Sequence, residues 1–171
     1  NGVNVVYAHR NAVPVTYVAV EFDAGVAADP AGRLGTQALM LNLLQEGTTS
    51  LNSVQIAEAQ ERLGATIGAN ASLDRTILSM TALSPSLDPS LALLADIVRN
   101  PAFEPAEVER LRRQQLASIA SELTNPGAIA SRALPGLLYG TSHPYGRPFS
   151  GSGTADVVGS LTRDELIELL S

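Results

Sequence analysis

One apolar segment places three residues at a spacing that zinc sites use. Between Arg33 and Glu46 nearly every residue is apolar or favours helix formation, which predicts a buried helix. On that helix Ala38, Leu41 and Asn42 share one face. The inverted zinc motif His-x-x-Glu-His uses this spacing: two imidazoles one turn apart bind the metal, and the carboxylate acts as general base on its water. The side chains found here cannot supply that chemistry.

Few other residues could replace the missing ligands. The chain has no cysteine and two histidines, His9 and His143, whereas a zinc site needs at least three nitrogen, sulfur or oxygen donors. We expect His9 to be an exposed turn residue and His143, beside Pro144 and Tyr145, to pack or hydrogen-bond locally. Ser118 lacks the glycine elbow or Ser-x-x-Lys pair that activates a serine nucleophile. The sequence therefore predicts no metal site and no nucleophile built from these residues.

Composition favours one folded domain and disfavours a nucleic-acid partner. The 171 residues are 45% hydrophobic and 16% charged, as in globular domains of ordinary size. The net charge of -6 comes from 17 acidic residues against 11 basic ones, all arginine, and no basic stripe could displace phosphate counterions. Arg110, Arg112 and Arg113 are interleaved with glutamates, which predicts a solvated helix face. No apolar run is long enough to predict a membrane-spanning helix.

The hydrophobic periodicity predicts two strand pairs and a set of helices. Asn52 with Gln55 forms a capping pair ahead of a helix that stops at Gly64, and Gly47 stands where a left-handed cap would end helix 33–46. Strands are predicted at 3–7 with 15–22 and at 66–72 with 75–83, and further helices from Asp88-Pro89 to Asn100, from 105 to 123 and after the Thr162/Glu165 capping box. These elements predict an α+β fold, a layered sandwich of a mostly antiparallel sheet with helices packed on one face.

Several short motifs follow one another in a fixed order along nearly the whole chain. They are Gly35-Thr36-Gln37-Ala38, Glu46-Gly47-Thr48, Leu63-Gly64-Ala65 to Arg75-Thr76, and Ser142-His143-Pro144-Tyr145-Gly146 followed by Gly151. Together they resemble the pitrilysin/insulinase family of zinc metallopeptidases, the inverzincins, which includes the mitochondrial processing peptidases and the core subunits of the respiratory bc1 complex. The first motif is similar to the family's Gly-x-Ala-His with its last two positions changed.

The resemblance implies which positions correspond to the family's zinc site. The two histidine ligands correspond to Ala38 and Asn42, and the general base corresponds to Leu41. The third ligand, a glutamate on the long helix of residues 105–123, corresponds to Ser118, and a second family glutamate falls on Leu111. All three ligands and the base are absent. The resemblance therefore implies a domain without zinc or catalysis of its own.

The resemblance also implies a strand that could contact substrate. In the family an unfolded peptide pairs as an added strand with a sheet edge of the zinc-bearing half, and such backbone pairing gives affinity without demanding a sequence. The corresponding edge here is Gly68, Ala69, Asn70 and Ala71, within the predicted strand 66–72. Gly68 and Ala71 depart from the family's asparagine and threonine.

We therefore interpret residues 1–171 as a single pitrilysin/insulinase-like domain, part of a longer chain and lacking its last strand. The expected function is that of a non-catalytic domain that helps to form the clamshell around peptide substrates for a zinc-bearing half. Zinc is expected in that half, and the parent protein or complex is expected to be a zinc metalloendopeptidase. The expected partners are the remaining domains of the same chain, the zinc-bearing half and unfolded peptide.

Two other functions compete with this one. The alternative from a different class is a non-enzymatic scaffold or assembly protein, like the core subunits of the respiratory bc1 complex. An intact His-x-x-Glu-His in a neighbouring half or gene product would favour the peptidase complex over the scaffold. A free-standing active peptidase is disfavoured because the ligands are lost. For localisation, the working hypothesis is a periplasmic or otherwise exported bacterial protein.

Overall fold

A three-stranded antiparallel sheet is the frame of the fold, in a computed structural model that describes residues 2–9, 12–30 and 32–170. Within these residues the strands lie in the order β1-β3-β2, so that β3 is central. Their bounds are Val15–Phe22 for β1, Ala65–Ala71 for β2 and Thr76–Leu83 for β3. Asn1 and Ser171, the bounds predicted for the domain, lie outside the described residues.

One face of the sheet is buried and the other is open to solvent. Along β3, Leu78 and Met80 are buried, whereas Thr81 and Leu83 on the opposite face are exposed. This alternation follows from the period of two in a β-strand. The register places Val18 of β1 and Ile67 of β2 on either side of Met80. The three side chains therefore point toward the same layer of helices.

Helices cover the buried face. The helix α1 contacts β2, α4 and α7, and α2 and α3 pack against each other and against the hairpin of β2 and β3. The core between these layers is aliphatic, and its centre includes Leu39 and Met80 at 0% exposure. The helices are α1 (Thr36–Leu43), α2 (Ser53–Leu63), α3 (Leu87–Arg99), α4 (Pro105–Glu122), α5 (Pro126–Tyr139), α6 (Ala155–Ser160) and α7 (Arg163–Leu170). This architecture confirms the predicted α+β layered fold with helices on one face.

Local capping signals position several of these helices. Asn52 and Gln55 form a reciprocal capping box at the start of α2, and Gly64 ends that helix in the left-handed conformation, as predicted. The Thr162/Glu165 box at the start of α7 is also formed. Among the described residues no helix combines the length and the apolar character needed to cross a membrane.

Two predictions about the first half of the chain were wrong. Residues 3–7, predicted to pair with β1, form no strand, and Val5 and Val6 are 84% and 94% exposed. A β-prone sequence becomes a strand only where its backbone pairs with a neighbour, and residues 3–7 are in no described sheet although β1 is an edge strand. Gly47 does not cap α1, which ends at Leu43; instead it makes an isolated bridge with Asn52.

Two helices were not predicted and one begins earlier than expected. The helices α5 and α6 lie in segments rich in glycine, serine and proline, and α5 even contains Pro135. Asn125 caps α5 by accepting hydrogen bonds from the N–H groups of Gly127 and Ala128. Asp88 is not the cap of α3, because that helix begins at Leu87 and Asp88 lies in its first turn.

Candidate functional site

The helix α1 carries the positions predicted to correspond to two zinc ligands and the base. It begins after Gly35, whose φ of 94° is left-handed, a conformation that favours glycine. Ala38 is half-buried and Asn42 is exposed, whereas Leu41 is buried at 6% exposure. None of these three side chains can act as a strong zinc ligand or as a general base. The face that would bind the metal is therefore chemically inert.

The helix α4 lies beside α1 in the opposite direction. Gln115 donates from Nε2 to the carbonyl oxygen of Gly35 at 3.0 Å, and Arg110 pairs with Glu46 at 2.6 Å. Ser118 is exposed and lies about one turn beyond Gln115, outside the stretch that these two contacts bracket. The structure thus brings the two predicted helices together. That Ser118 converges with Ala38 and Asn42 stays a prediction.

A polar network joins α4 to α5 and to the loop of residues 150–153. Arg132 of α5 pairs with Glu122 of α4 at 2.5 Å and donates to Ser152 Oγ at 2.7 Å. Ser152 Oγ in turn donates to Glu122, and its carbonyl oxygen accepts from Gln115 Nε2 at 2.9 Å. Glu122 lies on the same helix stripe as Ser118. Its carboxylate is engaged by Arg132 and Ser152, so it is not free to act as a base.

The arginine cluster of α4 is only partly the solvated face that the sequence predicted. Arg110 pairs with Glu107 and Glu46 and is exposed, as expected. The side chain of Arg112 is 14% exposed and donates to the carbonyl oxygens of Gly159 and Leu161. The interleaved glutamates concealed this role, because the carbonyls that Arg112 binds lie nearly fifty residues later in the chain.

A buried carboxylate holds the start of α1. Asp29 is 4% exposed and accepts hydrogen bonds from the N–H groups of Gly35 at 2.7 Å and Gln37 at 3.2 Å. Arg147 donates to the backbone carbonyl of Asp29. Burial raises the pKa of the Asp29 carboxyl, and the two N–H donors and the charge of Arg147 oppose that rise. Asp29 therefore has a structural role: it caps the N-terminus of α1.

Gln37 replaces the alanine of the family motif and leaves one buried atom without a partner. Its Nε2 donates to the carbonyl of Ala24 at 2.8 Å and to Thr76 Oγ1 at 2.7 Å. Its Oε1 is buried without a hydrogen-bond partner. Because buried polar atoms are almost always paired in native proteins, this unpaired acceptor is unusual.

A cavity of about 720 Å³ opens beside Gln37. Of the four positions that correspond to the zinc site, only Leu41 lines it. This cavity therefore lies on the core side of α1, away from the face of Asn42. Its walls come from β1, β3, α1, α3 and α7, including Phe22, Leu78, Leu41, Val98 and Leu169.

The two histidines play local roles. His143 accepts a hydrogen bond from the N–H of Tyr145 at 3.0 Å and stacks on Tyr139 with ring centroids 5.7 Å apart. His9 is exposed and its Nδ1 lies 3.0 Å from the hydroxyl of Tyr7. The local role predicted for His143 is confirmed, and His9 is exposed as predicted but lies in no assigned turn. Across the part of the chain that the structure describes, no three His, Asp or Glu side chains are grouped so that they could hold a metal ion.

The strand β2 provides an open sheet edge at the predicted substrate positions. The N–H of Ile67 points away from β3, since it donates to Gln60 Oε1 at 2.8 Å. Because backbone directions alternate along a strand, the N–H groups of Ala69 and Ala71 point the same way. Gly68, Ala69 and Ala71 are half-buried and Asn70 is exposed. No described strand pairs with this edge, and whether substrate uses it stays a prediction.

Sequence reasoning missed Asp29, Gln37 and Arg132. The signal for Arg132 was present, since it is the only charged residue in the otherwise apolar α5 and a single such charge needs a partner. Asp29 is followed by a helix start six residues later, too far for a standard cap pattern. For Gln37 the departure from the family's alanine was visible, but its partners Ala24 and Thr76 could not be read from the sequence.

Comparisons with known proteins agree on one family. Residues 4–144 match the family model described as Insulinase (Peptidase family M16). The chain is 27% identical to "Probable mitochondrial-processing peptidase subunit beta" of Schizosaccharomyces pombe and 28% identical to an uncharacterized zinc protease of Mycobacterium leprae, covering 99% and 96% of this chain. It spans about 36% of the length of each of these relatives.

A solved structure gives the same result. The fold matches that of a peptidase M16 inactive domain from Pseudomonas fluorescens with a TM-score of 0.88 and 30% identity. The match covers 94% of this chain and 39% of that one.

Proposed function

Since this chain belongs to the insulinase family, peptidase family M16, we propose that it is a non-catalytic domain that helps to enclose peptide substrates for a zinc-bearing half. The observation that carries the proposal is the chemistry of α1 and α4. Ala38, Asn42 and Ser118, at the positions predicted for the family's ligands, and Leu41, at the position predicted for its base, cannot supply that chemistry. Without a bound metal or an activated nucleophile, such a domain contributes through binding and shape rather than through chemistry.

The zinc that the family uses would then be held by the partner half. Nothing in the network of Arg132, Glu122 and Ser152 is arranged to bind a cation, because the one carboxylate already has a guanidinium partner. In the assembled protein, zinc supplies the activated water, and this chain supplies a wall of the chamber.

Exposed apolar side chains on α5 support the proposal that other domains cover this surface. The helix α5 carries Leu134, Leu137 and Leu138 at 51%, 82% and 65% exposure. Contiguous apolar side chains on a surface usually mark contact with another protein surface. We propose that the remaining domains of the same protein, or the zinc-bearing half, cover this helix.

The open edge of β2 is the proposed contact for extended peptide. A matched pair of proline variants tests it. Ala69→Pro removes an N–H that points outward, and Asn70→Pro removes one that points into the ladder with β3. We expect Ala69→Pro to weaken binding of the unfolded peptide with little loss of stability, and Asn70→Pro to lower the unfolding free energy by about 1 to 3 kcal/mol because it removes a ladder hydrogen bond. Unchanged capture by a folded Ala69→Pro variant would remove β2 from the proposal.

Reconstitution tests the function itself. The intact protein is mixed with the zinc-bearing family member of the same organism, and cleavage of an unfolded fluorogenic peptide is measured. The control is a partner whose motif glutamate is replaced by glutamine. We expect turnover at least about tenfold above that of the partner alone, and none with the control. A stable complex without any gain in turnover would instead favour the scaffold function.

A further inference from the structure

Three aromatic rings meet where α5 ends. Tyr139 is the last residue of α5, and His143 and Tyr145 belong to the turn of residues 143–146 that follows it. The imidazole of His143 stacks on Tyr139 with ring centroids 5.7 Å apart, and the ring of Tyr145 lies edge-on to both at 5.4 and 5.8 Å. Aromatic pairs at these separations attract each other beyond the burial of their surfaces. The rings therefore hold the 143–146 turn against the end of α5.

The same turn is tied to the sheet. The hydroxyl of Tyr145 donates to Asp74 Oδ1 at 2.6 Å, and Asp74 lies in the connection between β2 and β3. The hydrogen bond to Asp74 raises the pKa of the Tyr145 hydroxyl, so this group remains a donor through neutral pH. Tyr145 thus connects the end of α5 to the hairpin that carries the open edge of β2.

One hydrogen bond in this turn depends on the protonation state of a side chain. Nδ1 of His143 accepts from the N–H of Tyr145 at 3.0 Å. An imidazole nitrogen accepts only while it carries no proton, so this contact requires a neutral ring with its proton on Nε2. A second proton on the ring would bring two N–H donors against each other and break the bond. His143 is exposed, so protons reach it directly from solvent.

The other titratable and charged groups on the segments around this turn have partners of their own. Beyond the phenols of Tyr139 and Tyr145 they are Asp74, bonded to Tyr145; Arg75, paired with Glu21; Arg132, paired with Glu122; Arg147, bonded to the carbonyl oxygens of Ala27 and Asp29; and the Asp29 carboxylate, bonded to the N–H groups of Gly35 and Gln37. Asp74 contacts the far end of the Tyr145 ring. It therefore cannot replace Nδ1 of His143 as the acceptor for the Tyr145 N–H.

Protonation changes which contact the His143 ring prefers. A cationic imidazole is attracted by the face of Tyr139, as other cations are by aromatic rings. The ring can keep that stack only after Nδ1 turns away from the N–H of Tyr145. The two protonation states therefore favour two arrangements of the same side chain. The neutral ring caps the turn, and the protonated ring stays on α5 and leaves the turn uncapped.

We propose that His143 is a pH-sensitive latch between the end of α5 and the hairpin of β2 and β3. The neutral ring caps the 143–146 turn and holds Tyr145 where its hydroxyl reaches Asp74. The protonated ring releases the N–H of Tyr145, and the contact with Asp74 becomes weaker. The latch opens as pH falls through the range of about 8 to 5 in which histidine side chains change charge. The inference goes beyond the proposed function and does not depend on it, because every contact involved lies within this chain.

Amide exchange and two variants of His143 test the latch in the intact protein. The protection factor of the Tyr145 amide, its intrinsic exchange rate divided by the observed rate, is measured by NMR between about pH 5 and about pH 8. We expect it to be at least about threefold lower at the acidic end, with the same midpoint as the His143 ring. His143→Asn keeps an acceptor that does not titrate, so its protection factor should not change with pH. His143→Ala has no acceptor and should give the low value throughout.

The nitrogen chemical shifts of the imidazole test the starting geometry. At the alkaline end of the titration Nδ1 of His143 should carry no proton. A proton on Nδ1 there, a Tyr145 protection factor that does not change with pH, or the same pH dependence in His143→Asn would each overturn the latch.

Tyr145→Phe tests the link to the sheet. The variant keeps the ring contacts and removes the hydroxyl that reaches Asp74. We expect the carboxyl carbon signal of Asp74 to follow the midpoint of His143 in the native protein and not to follow it in Tyr145→Phe. An Asp74 signal that follows His143 in both proteins, or in neither, would contradict the link.

Discussion

At the scale of single residues, Asp29 shows how a buried carboxylate can be structural in a chain with few polar core residues. Its two oxygens accept from Gly35 and Gln37, at the end of α1 where the helix dipole favours negative charge. Burial acts in the other direction and raises the pKa of the carboxyl. The balance between burial and hydrogen bonding therefore sets how the contribution of Asp29 to stability depends on pH.

The sign of that dependence follows from the raised pKa. A carboxyl whose pKa is higher in the folded state than in the unfolded state binds more protons when folded, so its contribution to stability falls as pH rises through the window between the two pKa values. That window begins near the ordinary value of 3.8 and ends at the raised pKa of Asp29. We expect the unfolding free energy of the native chain, relative to Asp29→Asn, to decrease across this window in urea titrations. A relative increase would mean that the N–H donors and Arg147 outweigh burial.

The vacated zinc positions can be tested by restoring them. The variant Ala38→His, Asn42→His and Ser118→Glu supplies two imidazoles and a carboxylate, and Leu41→Glu adds the base. Because a bound metal stabilises the folded state, we expect about one zinc per chain by elemental analysis and a higher melting temperature with zinc than with chelator.

A matched variant tests the register of α4 in the same experiment. Gln115, which contacts Gly35, lies inside the stretch bracketed by the α1 contacts, and Ser118 lies one turn beyond it. A variant with Gln115→Glu in place of Ser118→Glu carries the same charges. If the Ser118→Glu variant folds but does not bind zinc, whereas the Gln115→Glu variant binds it, Ser118 is not the position of the family's third zinc ligand.

At the scale of elements, the network between α4, α5 and the loop of residues 150–153 holds together segments far apart in sequence. Arg132→Leu leaves Glu122 partly buried without its guanidinium, and we expect a loss of about 2 kcal/mol or more in unfolding free energy. The control Arg110→Leu breaks an exposed pair with Glu46 and Glu107 and should lose about 1 kcal/mol or less. Adding Glu122→Gln to Arg132→Leu should recover part of the loss. Equal losses for the two arginine variants in chemical denaturation would contradict a structural role for the network.

The elements that were predictable are those with local signals. Capping at Asn52/Gln55 and Thr162/Glu165, and the alternation in β3, act within a few residues and were confirmed. Residues 3–7 form no strand, and α5 and α6 form helices, because of contacts with residues far away in the sequence. Hydrophobic periodicity does not reveal such contacts. In the candidate site, too, local features were predictable and long-range contacts were not. The spacing of Ala38, Leu41 and Asn42 was readable, whereas Gln37 depends on Thr76, which lies 39 residues later.

At the scale of the whole molecule, the fold is preserved while the family's chemistry is absent. The helices α1 and α4 pack against each other, and the side chains at the predicted zinc positions bind no metal strongly. The central claim is that this chain does not catalyse peptide cleavage and acts only through a zinc-bearing partner.

Cleavage of an unfolded fluorogenic peptide by the purified chain alone, with zinc measured on the same sample, tests that claim most directly. Since the chain supplies neither an activated water nor a nucleophile, the account predicts no turnover above buffer and zinc far below one equivalent. Turnover that survives rigorous purification, is abolished by chelator and returns with added zinc would contradict it.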